Sequence, residues 1–152
     1  MTGEISAAGS IYCTAKVNSC GNLPAIGLSG VPSASAGSGF TVNASSSKGT
    51  KCGLLLYGDD GPAQPAFPFS GGLLCVAPQI KRSVGVCDAT GTPGACDGVL
   101  AIDMNAFATG ALGGNPLPSL LVPGTQVNCQ FWGRDTPGNS LLSDALQYVV
   151  GP

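Results

Sequence analysis

Eight acids and six bases, with no histidine, are the charged groups this chain can bring to a reaction. Without histidine no Ser-His-Asp or Cys-His arrangement can form, so a hydroxyl or thiol nucleophile would lack its usual base. The carboxylates are the remaining option. Asp59 and Asp60 are adjacent in a Gly- and Pro-rich stretch. A glycosidase holds its two carboxyls roughly 5 Å apart when retaining and about 6.5–9.5 Å apart when inverting. Neighbours in a turn rarely present both groups to one bond, and local hydrogen bonding to the backbone is the simpler role for this pair.

Asp88-Ala89-Thr90-Gly91 and Asp135-Thr136-Pro137 are only loosely similar to an aspartic-protease loop, which needs two matched copies around one water. A hydrolase is therefore the least supported function, and no enzyme activity is expected. Calcium is the one cation that the oxygen ligands would suit, with Asp59, Asp60, Asp135, Asn139 and Asp144 as candidates. They form no spaced Asp/Asn ladder, so solvated turn acids are the plainer reading and no cofactor is expected. Arg134 and Asp144 flank the last hairpin with Asp135 beside the turn, where a charge pair would fix turn geometry.

Trp132, the single tryptophan, says most about binding. In a strand over Gln126–Arg134, Val127, Cys129 and Phe131 fall on one face, and Asn128, Gln130, Trp132 and Arg134 on the other. An indole among amides on a polar face can stack a sugar ring, so these four residues are the candidate ligand site. The competing reading has Trp132 covered by the Arg134 side chain or a loop.

Seven cysteines are present, none in a Cys-x-x-Cys pair. With no histidine either, zinc is a poor fit. A disulfide framework suits them better and points to a secreted, extracellular or cell-surface location. The odd count leaves at least one sulfur over. The opening Met1-Thr2-Gly3-Glu4-Ile5-Ser6 lacks the basic and apolar regions of a signal peptide, so an exported form is expected to have lost a leader.

The elements that would carry these residues are short. Glycine (24) and proline (12) punctuate the chain too often for long helices. Phe40, Val42 and Ala44 alternate with polar residues as a half-buried strand, and residues 46–50 form a polar turn. Residues 52–57 (CGLLLY) then read as a more buried strand that could pair with it as a hairpin. Further strands are expected at residues 25–29, 73–77, 80–86, 99–105, 126–134 and 145–150. Residues 58–68, 87–98 and 106–123 are expected as loops or connections. Residues 140–148 (SLLSDALQY) are the only helical candidate, and also fit a turn followed by a strand.

About eight strands without crossover helices suggest an all-β, antiparallel β-sandwich, immunoglobulin-like or jelly-roll, held by disulfides. Residues 1–11 are expected as an N-terminal extension or strand and 12–152 as one sandwich domain, with no internal repeat.

Several short motifs occur in a fixed order: Tyr12-Cys13, Val17-Asn18-Ser19, Pro24-Ala25, Gly71-Gly72-Leu73-Leu74-Cys75 and Val122-Pro123-Gly124-Thr125. Gln130-Phe131-Trp132-Gly133-Arg134-Asp135 and Leu142-Ser143-Asp144-Ala145 follow. This order, covering about residues 12–150, resembles a family of secreted bacterial domains common at the C-termini of large exported proteins. That family has no assigned activity, so the resemblance implies export and a β-domain but no reaction. It also implies a Cys13–Cys75 disulfide. Cys20, Cys52, Cys87, Cys96 and Cys129 are additions to the family pattern. Cys87 and Cys96, close across a turn, could pair locally, which leaves Cys20, Cys52 and Cys129 unassigned.

Charged residues are 9% of the chain, against roughly 25% in ordinary domains, and the net charge is −2. Six bases cannot neutralise many phosphates, so nucleic acid is not an expected partner. No apolar run is long enough for membrane insertion. A weakly charged, Gly- and Ser-rich surface is poorly guarded against self-association. The leading expectation is therefore a non-catalytic extracellular structural or adhesive module that assembles with itself, as a surface or filament subunit, or with cell-surface components. Its N-terminal segment, residues 2–10 with Ile5 and then Ile11, would add to a neighbour's sheet edge. The alternative is a carbohydrate-binding module that holds polysaccharide through Trp132.

Overall fold

The computed structural model describes residues 9–152. Eleven strands, one short α-helix and one 3₁₀ turn make up the described chain. The strands are β1 (Gly9–Tyr12), β2 (Ala25–Gly30), β3 (Phe40–Ser47), β4 (Cys52–Gly58), β5 (Pro62–Phe69) and β6 (Gly72–Val76), followed by β7 (Lys81–Arg82), β8 (Val86–Cys87), β9 (Gly98–Asp103), β10 (Gln126–Arg134) and β11 (Ser140–Val149). The helix α1 is Met104–Ala108 and the 3₁₀ turn is Pro118–Leu121. A large sheet runs β1-β11-β10-β4-β7, with β8 also pairing β4, and a second runs β2-β3-β9. All pairings are antiparallel.

The two sheets enclose one core, as the alternation predicted. Phe40, Val42, Ala44, Leu100 and Ile102 face it from the small sheet; Leu55, Tyr57, Val127, Cys129, Phe131 and Leu146 face it from the large one. Helix α1 adds Met104 and Phe107. Asp103 starts this helix by accepting from the Ala106 N–H at 3.1 Å and also receives the Gly39 N–H at 2.7 Å.

The β5–β6 hairpin forms a third layer on the other face of the large sheet, against β4, β10 and β11. Leu74, Cys75 and Val76 are buried there, as are Leu56 and Leu142 of the large sheet. Residues 58–68 were expected as a loop because three prolines interrupt them. They are instead largely β5, which pairs only with β6, so its prolines remove few ladder bonds. The hairpin turns at Ser70-Gly71, where both residues have positive φ (53° and 82°), as a two-residue type I′ connection requires.

Other expectations need correcting. β3 and β4 do not form a hairpin but lie in different sheets, because each sends apolar residues into the core from an opposite side. Residues 80–86 are not one strand: β7 and β8 are separate two-residue pairings on β4. The connection 106–123 includes most of α1 and the 3₁₀ turn. The helical candidate is the strand β11. Within it Ser143 and Asp144 together oppose Phe131, a bulge in the β10 pairing. The Ser143 hydroxyl accepts the Phe131 N–H at 3.0 Å, and the Asp144 carboxylate reaches across to the Ile26 N–H of β2 at 2.7 Å.

Three disulfides join Cys13–Cys75, Cys20–Cys96 and Cys52–Cys87, and Cys129 is a buried free thiol. The first is the pair implied by the resemblance. The local Cys87–Cys96 pair is not formed. Cys87 faces Cys52 directly in the β4–β8 register, and Cys96 is drawn to Cys20 in the loop after β1. Three such bonds belong to an oxidising compartment. No helix among the described residues is long and apolar enough to cross a membrane.

Candidate functional site

The end of β10 beyond the bulge opens into a groove. Trp132 lies at its centre, half-buried between two hollows of about 630 and 360 Å³ that share Trp132, Arg134, Asn139 and Ser140 on their walls. Both volumes fall in the range of roughly 300–1,000 Å³ typical of small-ligand clefts.

The indole is fixed on several sides. Its Nε1–H donates to Ser70 Oγ at 3.2 Å, and Phe69 packs against it with ring centroids 5.5 Å apart. Arg82 of β7 places its guanidinium 5.5 Å from the indole centroid, within cation–π reach. Cover by a cation was one of the two sequence readings, but the cation is Arg82 and not Arg134.

Of the four residues assigned to the polar face, only two border the groove. Trp132 and exposed Arg134 do so; Asn128 and Gln130 are fully buried. Alternation placed all four correctly on one face, but the hairpin covers that face over its first half. Gln130 Nε2 donates to the carbonyls of Leu73 (2.9 Å) and Ser143 (2.6 Å), and its Oε1 accepts the Cys75 N–H at 2.9 Å. Asn128 Nδ2 donates to the Tyr12 hydroxyl at 2.9 Å, which donates in turn to the Cys75 carbonyl at 3.0 Å. Both amides therefore tie the hairpin and Tyr12 to β10, and their full burial keeps them out of a ligand's reach.

The groove is basic. Lys16, Lys51 and Arg134 line the larger hollow, and Arg82 and Arg134 the smaller. Lys16 bridges its walls: Nζ donates to the carbonyls of Ser70 and Ser140, each at 3.0 Å, and to Asn139 Oδ1 at 2.8 Å. Ser70 and Ser140 share a hydrogen bond of 2.5 Å between their hydroxyls. Hydroxyls, an amide and basic side chains thus surround one indole.

Asp135 is the only acid on these walls and is itself buried. Ser19 donates to both its oxygens, N–H to Oδ2 and Oγ–H to Oδ1, each at 2.7 Å. Lys48 Nζ donates to the same Ser19 Oγ at 3.0 Å.

The other carboxylates serve the backbone. Asp88 accepts the N–H groups of Thr50, Gly91 and Val99 at 2.8–2.9 Å, and these donors hold its pKa well below the usual carboxylate range. Asp59 accepts from Ser119 Oγ at 2.7 Å, and Asp60 is exposed beside it. Asp144 bonds to Ile26 and not to Arg134; burial raises its pKa against the lowering effect of the Ile26 amide and its own. Of the five calcium candidates only Asp135 and Asn139 line a common hollow, without Asp59, Asp60 or Asp144. Among the described residues no group of three or more His, Cys, Asp or Glu side chains is placed to hold a metal.

Lys16, Lys51, Ser70, Arg82 and Ser140 were not legible as site residues, because they come from separate segments that only the folded sheets bring together. The chain matches no protein-family model, no curated protein and no solved structure.

Proposed function

We propose that this domain is an extracellular, non-catalytic binding module that holds a saccharide in the groove beside Trp132. The observation that carries this reading is the composition of the walls: one fixed indole flanked by Ser70, Asn139 and Ser140 in two hollows of ligand size. A pyranose offers hydroxyls to such polar neighbours and an apolar face to the part of the indole that Phe69 and Arg82 leave exposed to the hollows. The lack of histidine and the engagement of most Asp carboxylates in backbone or hydroxyl hydrogen bonds favour binding over hydrolysis. The disulfides and the resemblance to exported domains favour secretion or display at the cell surface.

Since Trp132 is the sole tryptophan, its fluorescence reports on the groove alone. Soluble polysaccharides should change that emission saturably, and Trp132→Ala should abolish retention on the same polymer while the fold is kept by circular dichroism. A panel of plant, algal and bacterial polysaccharides that leaves the emission unchanged would reject the reading.

Self-assembly is the second reading. Among the described residues β1 pairs on one side only, with β11 of its own chain, and Ile11 on it is 52% exposed. Residues 9 and 10 therefore already have partners within the chain; residues 2–8, including Ile5, lie outside the described residues. The open side of β1 is where a neighbouring strand would add. Sedimentation of the full chain and of a variant lacking residues 2–8 tests this: a concentrated full chain that stays monomeric excludes it.

A further inference from the structure

We infer that the groove selects acidic saccharides, its cations receiving the carboxylate or sulfate groups of a sugar chain. The inference rests on the saccharide-binding reading and adds the charge of the ligand.

Basic residues are scarce: six in 152, in a chain of net charge −2. Four of the six, Lys16, Lys51, Arg82 and Arg134, line the two hollows around Trp132. Their clustering runs against the charge of the whole chain, so it is a property of this place and not of composition. Lys16 is engaged with Ser70, Asn139 and Ser140. Lys51, Arg82 and Arg134 are exposed, and among the described residues their side chains make no hydrogen bond. They are three basic groups with unused donors facing one cleft.

The acid that could cancel them is turned inward. Asp135 is buried, with both oxygens bonded to Ser19 and Lys48 reaching that same serine. A neutral sugar would leave the cations of both hollows without an anionic partner. A uronate or sulfated sugar would give each guanidinium an acceptor that matches its planar fork. Arg82 stands beside the indole, its guanidinium carbon 5.5 Å from the ring centroid, where an acidic group on a sugar stacked nearby would meet it.

The test titrates the intact chain with polygalacturonate, a sulfated galactan, a neutral glucan and single-stranded oligodeoxythymidylate, following Trp132 emission at low and physiological salt. Arg134→Gln, Arg82→Gln and Lys51→Gln are titrated alongside, each checked for folding by circular dichroism. The expected result is saturable binding of one or both acidic polysaccharides, weakened by salt and by about tenfold in Arg134→Gln, as for loss of one charge-assisted hydrogen bond. Neutral glucan should bind more weakly by a similar factor. Equal, salt-insensitive binding of neutral glucan would overturn the inference and leave the saccharide reading intact. Binding of the oligonucleotide as tight as that of the acidic polysaccharides would overturn it in favour of a general polyanion site. No response to any polymer would overturn both.

Discussion

Trp132 Nε1–H donates to the hydroxyl of Ser70 at 3.2 Å, joining the end of β10 to the tip of the β5–β6 hairpin. Ser70 holds a positive φ of 53°, a conformation that costs a non-glycine residue energy, so its side chain has a use there. Ser70→Gly would relieve the backbone and remove the hydroxyl. The two effects on stability oppose each other and should leave a net change within about 1 kcal/mol. The indole, however, loses its tether. Trp132 emission should shift and saccharide affinity fall, measured by fluorescence titration beside thermal melts of both proteins.

Gln130 gives the opposite pattern. Its amide satisfies Leu73, Cys75 and Ser143 in a fully buried position. Gln130→Leu would leave those backbone groups without partners, and each such group costs about 1–3 kcal/mol. A loss of about 3 kcal/mol should be measurable by urea unfolding, while ligand affinity of the folded fraction stays near that of the parent. A selective loss of affinity at unchanged stability would restore Gln130 to the site.

The thiols offer a third prediction. A non-reducing digest should yield the Cys13–Cys75, Cys20–Cys96 and Cys52–Cys87 links. Cys129 is wholly buried, and burial raises its thiol pKa far above the ordinary value, so it should resist alkylation until the chain unfolds. One thiol per chain should react in guanidinium and none in native buffer, as counted by intact mass. Loop lengths of 76, 62 and 35 residues rank the entropic contribution of the Cys20–Cys96 bond first and that of Cys52–Cys87 last.

Acid should unfold the domain through its backbone-bonded carboxylates. Backbone donors lower the pKa of Asp88 in the folded state from its ordinary value of 3.8. Its stabilising contribution is therefore complete above about pH 4 and is lost as pH falls toward the folded value. Asp97, bonded by Thr92, has the same sign. So does Asp103: burial raises its pKa, but the amides of Gly39, Ala106 and Phe40 outweigh burial. Asp144 has the opposite sign: burial raises its pKa above 3.8, so its contribution is present in acid and lost as pH rises through that shifted value. Melting temperature should fall steeply below pH 4. Asp88→Asn should melt lower at neutral pH and show a flatter acid limb, and Asp144→Asn should steepen that limb.

The sandwich was readable because alternation such as Phe40-Thr41-Val42-Asn43 reports a half-buried strand wherever its partner lies. Pairing was not. The same pattern fits β3 beside β4 or beside β2 and β9, and only packing of the core chooses. Period two also reports which side chains share a face but not what covers it, which is why Asn128 and Gln130 read like Trp132. Several of the ordered motifs are one another's partners: Ser19 with Asp135, Tyr12 with Cys75, Gln130 with Leu73 and Cys75. Their spacing records how the layers are fastened, while the groove cations lie mostly outside them and left no pattern to read.

The register of the large sheet has a kinetic meaning. Its order places β1 against β11 and β11 against β10, so the first described strand waits for the last. Until residues 145–148 have left the ribosome, β1 has no strand to pair with and that sheet cannot close. Such long-range pairing makes folding slow, and it defers the closing step until the whole domain is available. A chain with this topology can complete its large sheet only after its last strand has been made.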